Sequence, residues 1–499
     1  MRLTDLLQGE EVVMQPATAQ AEVEISGLTA DSRQVGAGYL FAALPGSRAD
    51  GRDFIPQALK RGAAAVLAPE GTRLPETARD EARPVALITD ANPRRRLALL
   101  AARFYGCQPE TVAAVTGTNG KTSVASFTRQ IWQALGHDAA SLGTLGLQPP
   151  RADAPASLTT PDSVELHRCL ATLARDHIDH VVLEASSHGL DQSRLDGVRV
   201  SAAAFTNLTR DHLDYHGTME AYLAAKLRLF TGLLQDGGAA VVNIDDPAGA
   251  DVVAACRARG VRLITYGKAE SDLRLLGQEP TATGQKLAIE VFGKRYDVSL
   301  PVAGAFQADN ALAALGLVLA TKGEDSAETD KAVTALEQVS GVPGRVELVG
   351  ATPAGGHVYV DFAHTPDALE TVLKALRPHT ENRLFVIVGC GGDRDPGKRP
   401  MMGRIAVTFA DRAIITDDNP RSEDPASIRQ QMMDAAPGAQ EIGDRGAAIA
   451  TAVAALGPGD VLVIAGKGHE TGQIVGGQVL PFDDREIART AISKLAGGA

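Results

Sequence analysis

Aromatic side chains make up only 4% of this 499-residue chain, and there is a single tryptophan, Trp132. A platform that stacks single-stranded bases needs more rings than that. Basic residues are outnumbered, 49 Lys and Arg against 61 Asp and Glu, for a net charge of −12. A protein that coats nucleic acid or anionic lipid favours the opposite balance. The four cysteines, Cys107, Cys169, Cys256 and Cys390, are far apart and form no C-x-x-C pair. They read as free thiols of a reducing compartment. The amino terminus, Met1 to Glu11, lacks a basic-then-apolar leader pattern. The longest apolar stretch, Ala311 to Ala320, falls far short of the ~20 residues that span a bilayer. What remains is a cytoplasmic protein with no nucleic-acid partner and no membrane span.

The composition present is that of a folded chain, 44% hydrophobic and 22% charged. At about 150 residues per domain, the length predicts three domains. Short apolar runs alternate with helical stretches and often end in glycine or a polar cluster. Examples are Thr111 to Thr116, His180 to Ala185, Arg383 to Gly389, Ala413 to Thr416 and Asp460 to Ala465. They predict buried strands and an α/β class with parallel sheets. Gly and Pro clusters at Tyr105 to Pro109 and Ser340 to Gly344 mark two boundaries. The predicted domains are therefore 1–108, 109–341 and 342–499.

The sharpest motif is Val115-Thr116-Gly117-Thr118-Asn119-Gly120-Lys121-Thr122. It follows an apolar strand and opens a predicted helix, Lys121 to Leu135. Glycines let the backbone curl so that its N–H groups face phosphate oxygens, and the helix N-terminus adds partial positive charge. Lys121 suits the β/γ-phosphates and the Thr122 hydroxyl suits Mg²⁺. The first glycine is closer than in the usual phosphate loop, three residues before Gly120, where the usual position would be Val115.

Three further groups stand out, each with a plainer reading beside it. Glu184 closes the strand-like run His180 to Leu183, at a sheet edge that suits nucleotide chemistry. Taken alone it reads more readily as a solvated strand end. His212, in Thr209-Arg210-Asp211-His212-Leu213-Asp214, is a ligand or acid–base candidate, or a loop histidine bonded to backbone. Lys226, among alanines and leucines, reads by itself as a snorkelling side chain.

With these residues in hand, the chain resembles the Mur ligase family, the ATP-dependent amide-bond ligases of peptidoglycan precursor synthesis. The resemblance runs essentially end to end. It implies a central phosphate-loop domain with a parallel sheet, between an N-terminal uridine-nucleotide α/β domain and a C-terminal Rossmann-like domain that takes the incoming amino acid. Gly117 to Thr122 match the family's phosphate loop, with Ser123 beside them, and account for the short spacing. Glu184 is similar to the Mg²⁺-ligating glutamate, and His212 to the histidine at a second Mg²⁺. Lys226 matches the lysine carbamylated in the family, whose new carboxylate helps hold that ion. Asn310, in Phe306-Gln307-Ala308-Asp309-Asn310, resembles the adenine-side asparagine, and Arg345 the C-terminal domain's ATP contact.

The same resemblance implies a UDP-substrate site at Ser32, Ser47, Arg48 and Ala49, with Thr159, Thr160, Ser186, Gln192 and Arg194 holding the muramoyl dipeptide. Leu158 stands where relatives can carry asparagine and is left out of the polar contacts. Asp418-Asn419-Pro420-Arg421 resembles the motif of members that add meso-2,6-diaminopimelate. That substrate is lysine with a second carboxylate at its far end, and a guanidinium can grip it with two parallel hydrogen bonds. Arg394, Gly466 and Glu470 match the other amino-acid contacts, and Glu470 suits an ammonium. Implied substrates are UDP-N-acetylmuramoyl-L-alanyl-D-glutamate, meso-diaminopimelate and ATP, with two Mg²⁺ ions, an N6-carboxylysine at Lys226 and a monomeric chain. Closure of the third domain over the central one is expected to shield the reaction from water, with Gly341 to Gly344 as its hinge. Competing readings are a ligase of this scaffold adding L-lysine or another amino acid, a phosphate-loop NTPase switch, and a non-catalytic nucleotide module. A switch has no use for Arg394, Arg421 and Glu470 together, and in a non-catalytic module the set of Lys121, Glu184, His212 and Lys226 would be surplus.

Overall fold

Runs of Val, Ile, Leu and Ala too short for helices become the strands of three sheets. The computed structural model describes residues 1–9, 13–15, 23–46, 49–75, 85–151, 158–322 and 326–497. The chain forms two compact units, Met1–Lys121 with Gly136–Ile264, and Thr122–Leu135 with Thr265–Ala499.

The first unit holds two sheets. The smaller has the order Val13–Gln15, Ala86–Asp90, Ala65–Pro69, Tyr39–Ala42, Gly27–Thr29, parallel except for its first pair. Helix Pro93–Tyr105 follows it. The Asn92 side chain caps its start and Gly106, at φ +81°, ends it. The larger sheet has ten strands, of which this unit holds, in order, Gly146–Gln148, Ala139–Gly143, His180–Glu184, Thr111–Thr116, Val200–Phe205 and Leu234–Asn243. Among these again only the first pair is antiparallel. The register sets Val115 beside Glu184 and Thr116 beside Phe205. Three strands therefore end level at one carboxyl edge, where open parallel sheets bind ligands. Behind them Val112, Ala114, Val181, Leu183, Ala203 and Phe205 share one buried core.

Helix Ser163–Arg175 carries a buried histidine into this unit. The Nε2–H of His167 donates to the Asp196 carbonyl at 2.9 Å, and its Nδ1 has no hydrogen-bond partner. Burial pulls its pKa down to about 4, against the small opposing pull of that carbonyl. An unfolded chain protonates this ring at higher pH than the native protein does. Its contribution is thus complete above about pH 6.5 and lost between there and about pH 4. Stability is expected to fall over that window by about 3 kcal/mol from this residue. Urea denaturation of His167→Gln against the parent checks it: the variant should show a flatter acid limb.

The second unit contains an antiparallel meander, Leu273–Pro280, Gln285–Val291 and Lys294–Leu300. Its middle strand buries every second side chain, Gln285, Leu287, Ile289 and Val291. The apolar stretch Ala311 to Ala320 lies in helix Phe306–Lys322 and is buried throughout. Among the described residues no helix is long and apolar enough to cross a membrane. The third sheet has the order Glu347–Ala351, His357–Asp361, Val461–Ala465, Leu384–Val388, Arg412–Ile415, Gln440–Glu441. Only its first pair is antiparallel. Apolar clusters cover both faces. The strands ending at Val388, Ile415 and Ala465 send loops 389–397, 416–424 and 466–471 from one carboxyl edge. Beneath them lies a fully buried ion pair, Arg445 to Asp484 at 2.6 Å. Arg445 also donates to the Ala465 carbonyl at 3.0 Å, just before Gly466.

Candidate active site

The phosphate loop is held open by its neighbours. Gly117 sits at φ +150°, and a Cβ there would lie 1.9 Å from the Thr206 hydroxyl. Only glycine fits this close approach. Thr206 Oγ1 donates to the Asn119 carbonyl at 2.6 Å. The Asn119 N–H donates to Asn207 Oδ1 at 2.9 Å, and the Thr118 N–H to the Asn207 carbonyl at 2.9 Å. Gly120, at φ +87°, turns the chain into helix Lys121–Ala134. The Lys121 amine folds back onto the Gly117 and Thr118 carbonyls, both at 2.8 Å.

Lys226 packs against the same loop. Its helix, Met219–Arg228, is capped by the Thr218 side chain. The Lys226 side chain is 1% exposed, donates to the Gly117 carbonyl at 2.8 Å and lies 4.2 Å over the Tyr222 ring. Burial pushes its pKa well below the ordinary lysine range, the Lys121 charge pushes the same way, and Asp211 opposes. A ring face favours the cation, but desolvation dominates here. Tyr222 itself bonds the Thr118 hydroxyl at 3.2 Å.

Glu184 is 2% exposed and its carboxylate is fixed from one side. Oε1 accepts from the Thr144 N–H at 2.8 Å, and Oε2 from the Thr144 hydroxyl at 3.1 Å. A Cβ at Gly143 would fall 2.1 Å from Oε1. Thr159 reaches Thr144 at 3.2 Å. The Thr160 hydroxyl donates to the Glu184 carbonyl at 2.7 Å and meets Ser186 Oγ at 3.0 Å. Arg194 donates to the Thr160 carbonyl at 2.7 Å and to Gln192 at 2.8 Å. Glu184, Thr159, Thr160, Ser186, Gln192 and Arg194 are thus one hydrogen-bonded network. His212 stands at φ +53°, half exposed, its ring edge-on to His188 at 4.9 Å and Tyr222 at 6.1 Å. The buried Glu184 carboxylate is an oxygen donor that fits Mg²⁺ chemistry, and the His212 imidazole is a second candidate ligand.

Ser32 lines a cavity of about 1160 Å³ together with Asp31, Phe54, Gln57, Leu158 and Glu165. Its hydroxyl donates to Gln57 at 2.9 Å. Leu158 contributes an apolar wall. Ala49 is exposed, its carbonyl accepting from the Gly46 N–H at 3.1 Å. Ser47 and Arg48 lie outside the described residues.

In the second unit, Thr122 and Ser123 are buried in the first turn of their helix. Asn310 is buried and donates to Gln307 at 2.9 Å. The Arg345 guanidinium lies 4.9 Å over the Phe362 ring. The loops at the third sheet's carboxyl edge form a tighter group. Asn419 donates to Glu470 Oε2 at 2.9 Å and accepts from the Ile474 N–H at 2.9 Å. Gly466, at φ +118°, leaves room for Asp418, whose Oδ2 a Cβ would approach to 2.6 Å. Pro420 presents its carbonyl 1.9 Å from where a Gly392 Cβ would stand. Arg421 is pinned by strand-like bonds to Ile474 and Gly476. Its NH1 donates to the Gly392 carbonyl at 2.7 Å and to that of Asn419 at 3.4 Å. Its other two nitrogens make no hydrogen bond among the described residues. Arg394 is exposed on the neighbouring loop.

Lys467 is the residue that sequence reasoning left without a role. It is fully buried, and its amine donates to Asn419 Oδ1 at 3.1 Å, Glu470 Oε2 at 3.1 Å and the Gly472 carbonyl at 2.6 Å. All three protons are used, so it organises this loop cluster and does not face outward. Tyr222, Thr144 and Arg445 were also passed over. Single side chains of these types carry no spacing signal; only the fold puts them against Lys226, Glu184 and Ala465.

Family comparisons fall on the same ground. Residues 24–105 match the Mur ligase family catalytic domain, 115–318 the Mur ligase middle domain, and 344–468 the Mur ligase glutamate ligase domain. The chain belongs to the Mur ligase family. It is 56% identical, over 92% of its length and 94% of the relative's, to a UDP-N-acetylmuramoyl-L-alanyl-D-glutamate--2,6-diaminopimelate ligase of Caulobacter vibrioides. It is 52% identical to the protein of that name from Bradyrhizobium diazoefficiens, covering 99% of both chains. A solved structure of a ligase of the same name matches 95% of each chain at 33% identity, with a TM-score of 0.70.

Proposed function

We propose that this protein is an ATP-dependent ligase joining meso-2,6-diaminopimelate to the D-glutamyl γ-carboxylate of UDP-N-acetylmuramoyl-L-alanyl-D-glutamate. The observation that carries the reading is the loop cluster of Asn419, Arg421, Lys467 and Glu470. It sets a guanidinium with open donors and a fixed carboxylate on one assembly, which suits a substrate bearing both ammonium and carboxylate. Relatives at 52–56% identity named for this substrate support the same choice.

A carboxylate does not condense with an amine in water, because oxide is a poor leaving group. The γ-carboxylate therefore attacks the γ-phosphorus of ATP; the bond to the bridging oxygen breaks and ADP leaves. The acyl phosphate is then attacked by an amine of diaminopimelate. The tetrahedral adduct expels phosphate, and the amine's proton is lost to base or solvent. Lys121 leaves the Gly117 and Thr118 carbonyls to meet phosphate charge, while loop N–H groups cradle it. Bound Mg²⁺ supplies further charge neutralisation. Glu184, His212 and Lys226, as its carbamate, would hold it. Arg194 and the Thr160–Ser186 pair orient the dipeptide, and Arg421 with Glu470 orients the amine.

The test is the mass of the product from the UDP-dipeptide, ATP and each of diaminopimelate, L-lysine and D-alanyl-D-alanine. Only diaminopimelate is expected to be incorporated efficiently; equal incorporation of lysine would overturn the assignment. Lys467→Met is expected to raise KM for diaminopimelate by about 10- to 100-fold, the loss of a buried charged donor to Glu470. KM for the UDP-dipeptide should stay within about twofold. Steady-state kinetics with each substrate varied separately check both.

A further inference from the structure

At the other end of the strand that carries Glu184 lies a cluster the ligase reaction does not use. Strand His180–Glu184 begins at the sheet's amino edge, with Asp179 just before it and His180 about 13 Å from Glu184 at ~3.3 Å per residue. His137 comes to the same spot from the turn after Gly136. His137 Nδ1 stands 3.3 Å from Asp179 Oδ2, and His180 Nδ1 stands 3.0 Å from Asp179 Oδ1. The two imidazole rings lie 4.0 Å apart, centre to centre, tilted by 42°. One donor atom from each of the three residues fits within a span of 4.8 Å.

We propose that His137, Asp179 and His180 form a site for a divalent transition ion of the Zn²⁺ class, separate from the Mg²⁺ chemistry. Two imidazole nitrogens and one carboxylate oxygen are the donor mix such ions prefer, whereas Mg²⁺ favours oxygen donors. A tetrahedral ion with bonds of ~2.0 Å puts its donors about 3.3 Å apart. His137 Nδ1 already stands at that distance from Asp179 Oδ2 and His180 Nδ1 slightly closer to Oδ1, so a small turn of the carboxylate brings one oxygen to both rings. The His137–His180 edge closes by a small rotation of His137, whose side chain is 24% exposed and has room to move. The surrounding backbone is fixed. The Asp138 carbonyl accepts from the N–H groups of both Asp179 and His180, at 3.0 and 3.2 Å, and the Thr111 N–H donates to the Asp179 carbonyl at 2.9 Å. Two turns from different parts of the chain therefore meet on three side chains, and solvent supplies the fourth ligand. Bound there, the ion staples the turn at His137 to the start of the strand bearing Glu184, so it stabilises the first unit without entering the reaction.

The experiment uses the full chain, stripped of metal and then held in saturating Mg²⁺ to occupy the nucleotide-side ligands. Zn²⁺ is titrated by calorimetry, and Co²⁺ by its visible absorption, into the parent protein and into His137→Gln and Asp179→Asn. The expected result is one Zn²⁺ site, visible bands typical of four-coordinate Co²⁺, and at least tenfold weaker binding in both variants. His137→Gln, changed at a partly exposed side chain, should keep the parent's metal-free melting temperature and its ligase rate. Zn²⁺ binding of equal strength in parent and His137→Gln would overturn the proposal, and so would the absence of any binding beyond the Mg²⁺-occupied ligands.

Discussion

Lys226→Ala is expected to lower ligase turnover by at least about a hundredfold, the scale on which a placed charge at a phosphoryl-transfer site acts. The reason lies in where the amine sits. It is buried against Tyr222 and the Gly117 carbonyl, and burial together with the Lys121 charge drives it toward the uncharged form. An uncharged amine attacks CO₂: the nitrogen–carbon bond forms, a proton is released and a carbamate results. On the proposed mechanism that step would turn a buried base into a carboxylate beside the phosphate loop and Lys121. Alanine removes the carbamate and leaves a gap of similar length, so a short carboxylic acid added to the assay should restore part of the activity. Binding of the UDP-dipeptide should be unchanged, because Thr160, Ser186 and Arg194 form their own network. With ¹³C-labelled bicarbonate, a carbamate signal should appear in the parent and be absent from the variant. Full turnover in Lys226→Ala would remove the carbamate from the mechanism.

The strands were legible because burial leaves a local mark. The runs at 111–116 and 180–184 are apolar through their middles, Val112 to Val115 and Val181 to Leu183, as strands covered on both faces are; the first appears with its expected limits and the second ends at Glu184, one residue short of Ala185. The phosphate loop was legible for a similar reason: its glycines answer to backbone geometry, Gly117 to the Thr206 hydroxyl and Gly120 to a positive φ. Lys226 was not legible from its surroundings. A lysine among alanines and leucines looks like any helix-surface lysine until the fold turns that face onto Gly117. Lys467 was not legible either: a lysine between two glycines carries no mark of which way it points, and the fold turns its amine inward, onto Asn419, Glu470 and Gly472. Long-range partners, Gly117 for Lys226 and Asn419 for Lys467, help decide both cases, and spacing along the chain carries no trace of them.

Arg421→Ala is expected to collapse the preference for diaminopimelate over lysine. NH1 of Arg421 is committed to the Gly392 and Asn419 carbonyls, which fixes the plane of the guanidinium and turns its remaining donors outward. A carboxylate at the far end of the substrate can then accept two parallel, charge-assisted bonds. Lysine has no such carboxylate, so its binding would leave the guanidinium desolvated and unmatched. Removing the arginine should lower kcat/KM for diaminopimelate by about 100- to 1000-fold and change that for lysine far less, so the ratio falls toward unity. Arg421→Lys separates charge from geometry. An ammonium keeps the charge but cannot form the paired bonds, and it should recover only a minor part of the selectivity. The backbone position itself does not discriminate between these variants, since any L-residue there must adopt the same left-handed φ of +53°. Both ratios come from competition kinetics with the two amino acids at fixed ATP and UDP-dipeptide. An unchanged ratio in Arg421→Ala would mean that the far carboxylate is read elsewhere, and Arg394, exposed on the adjacent loop, is the next residue to replace.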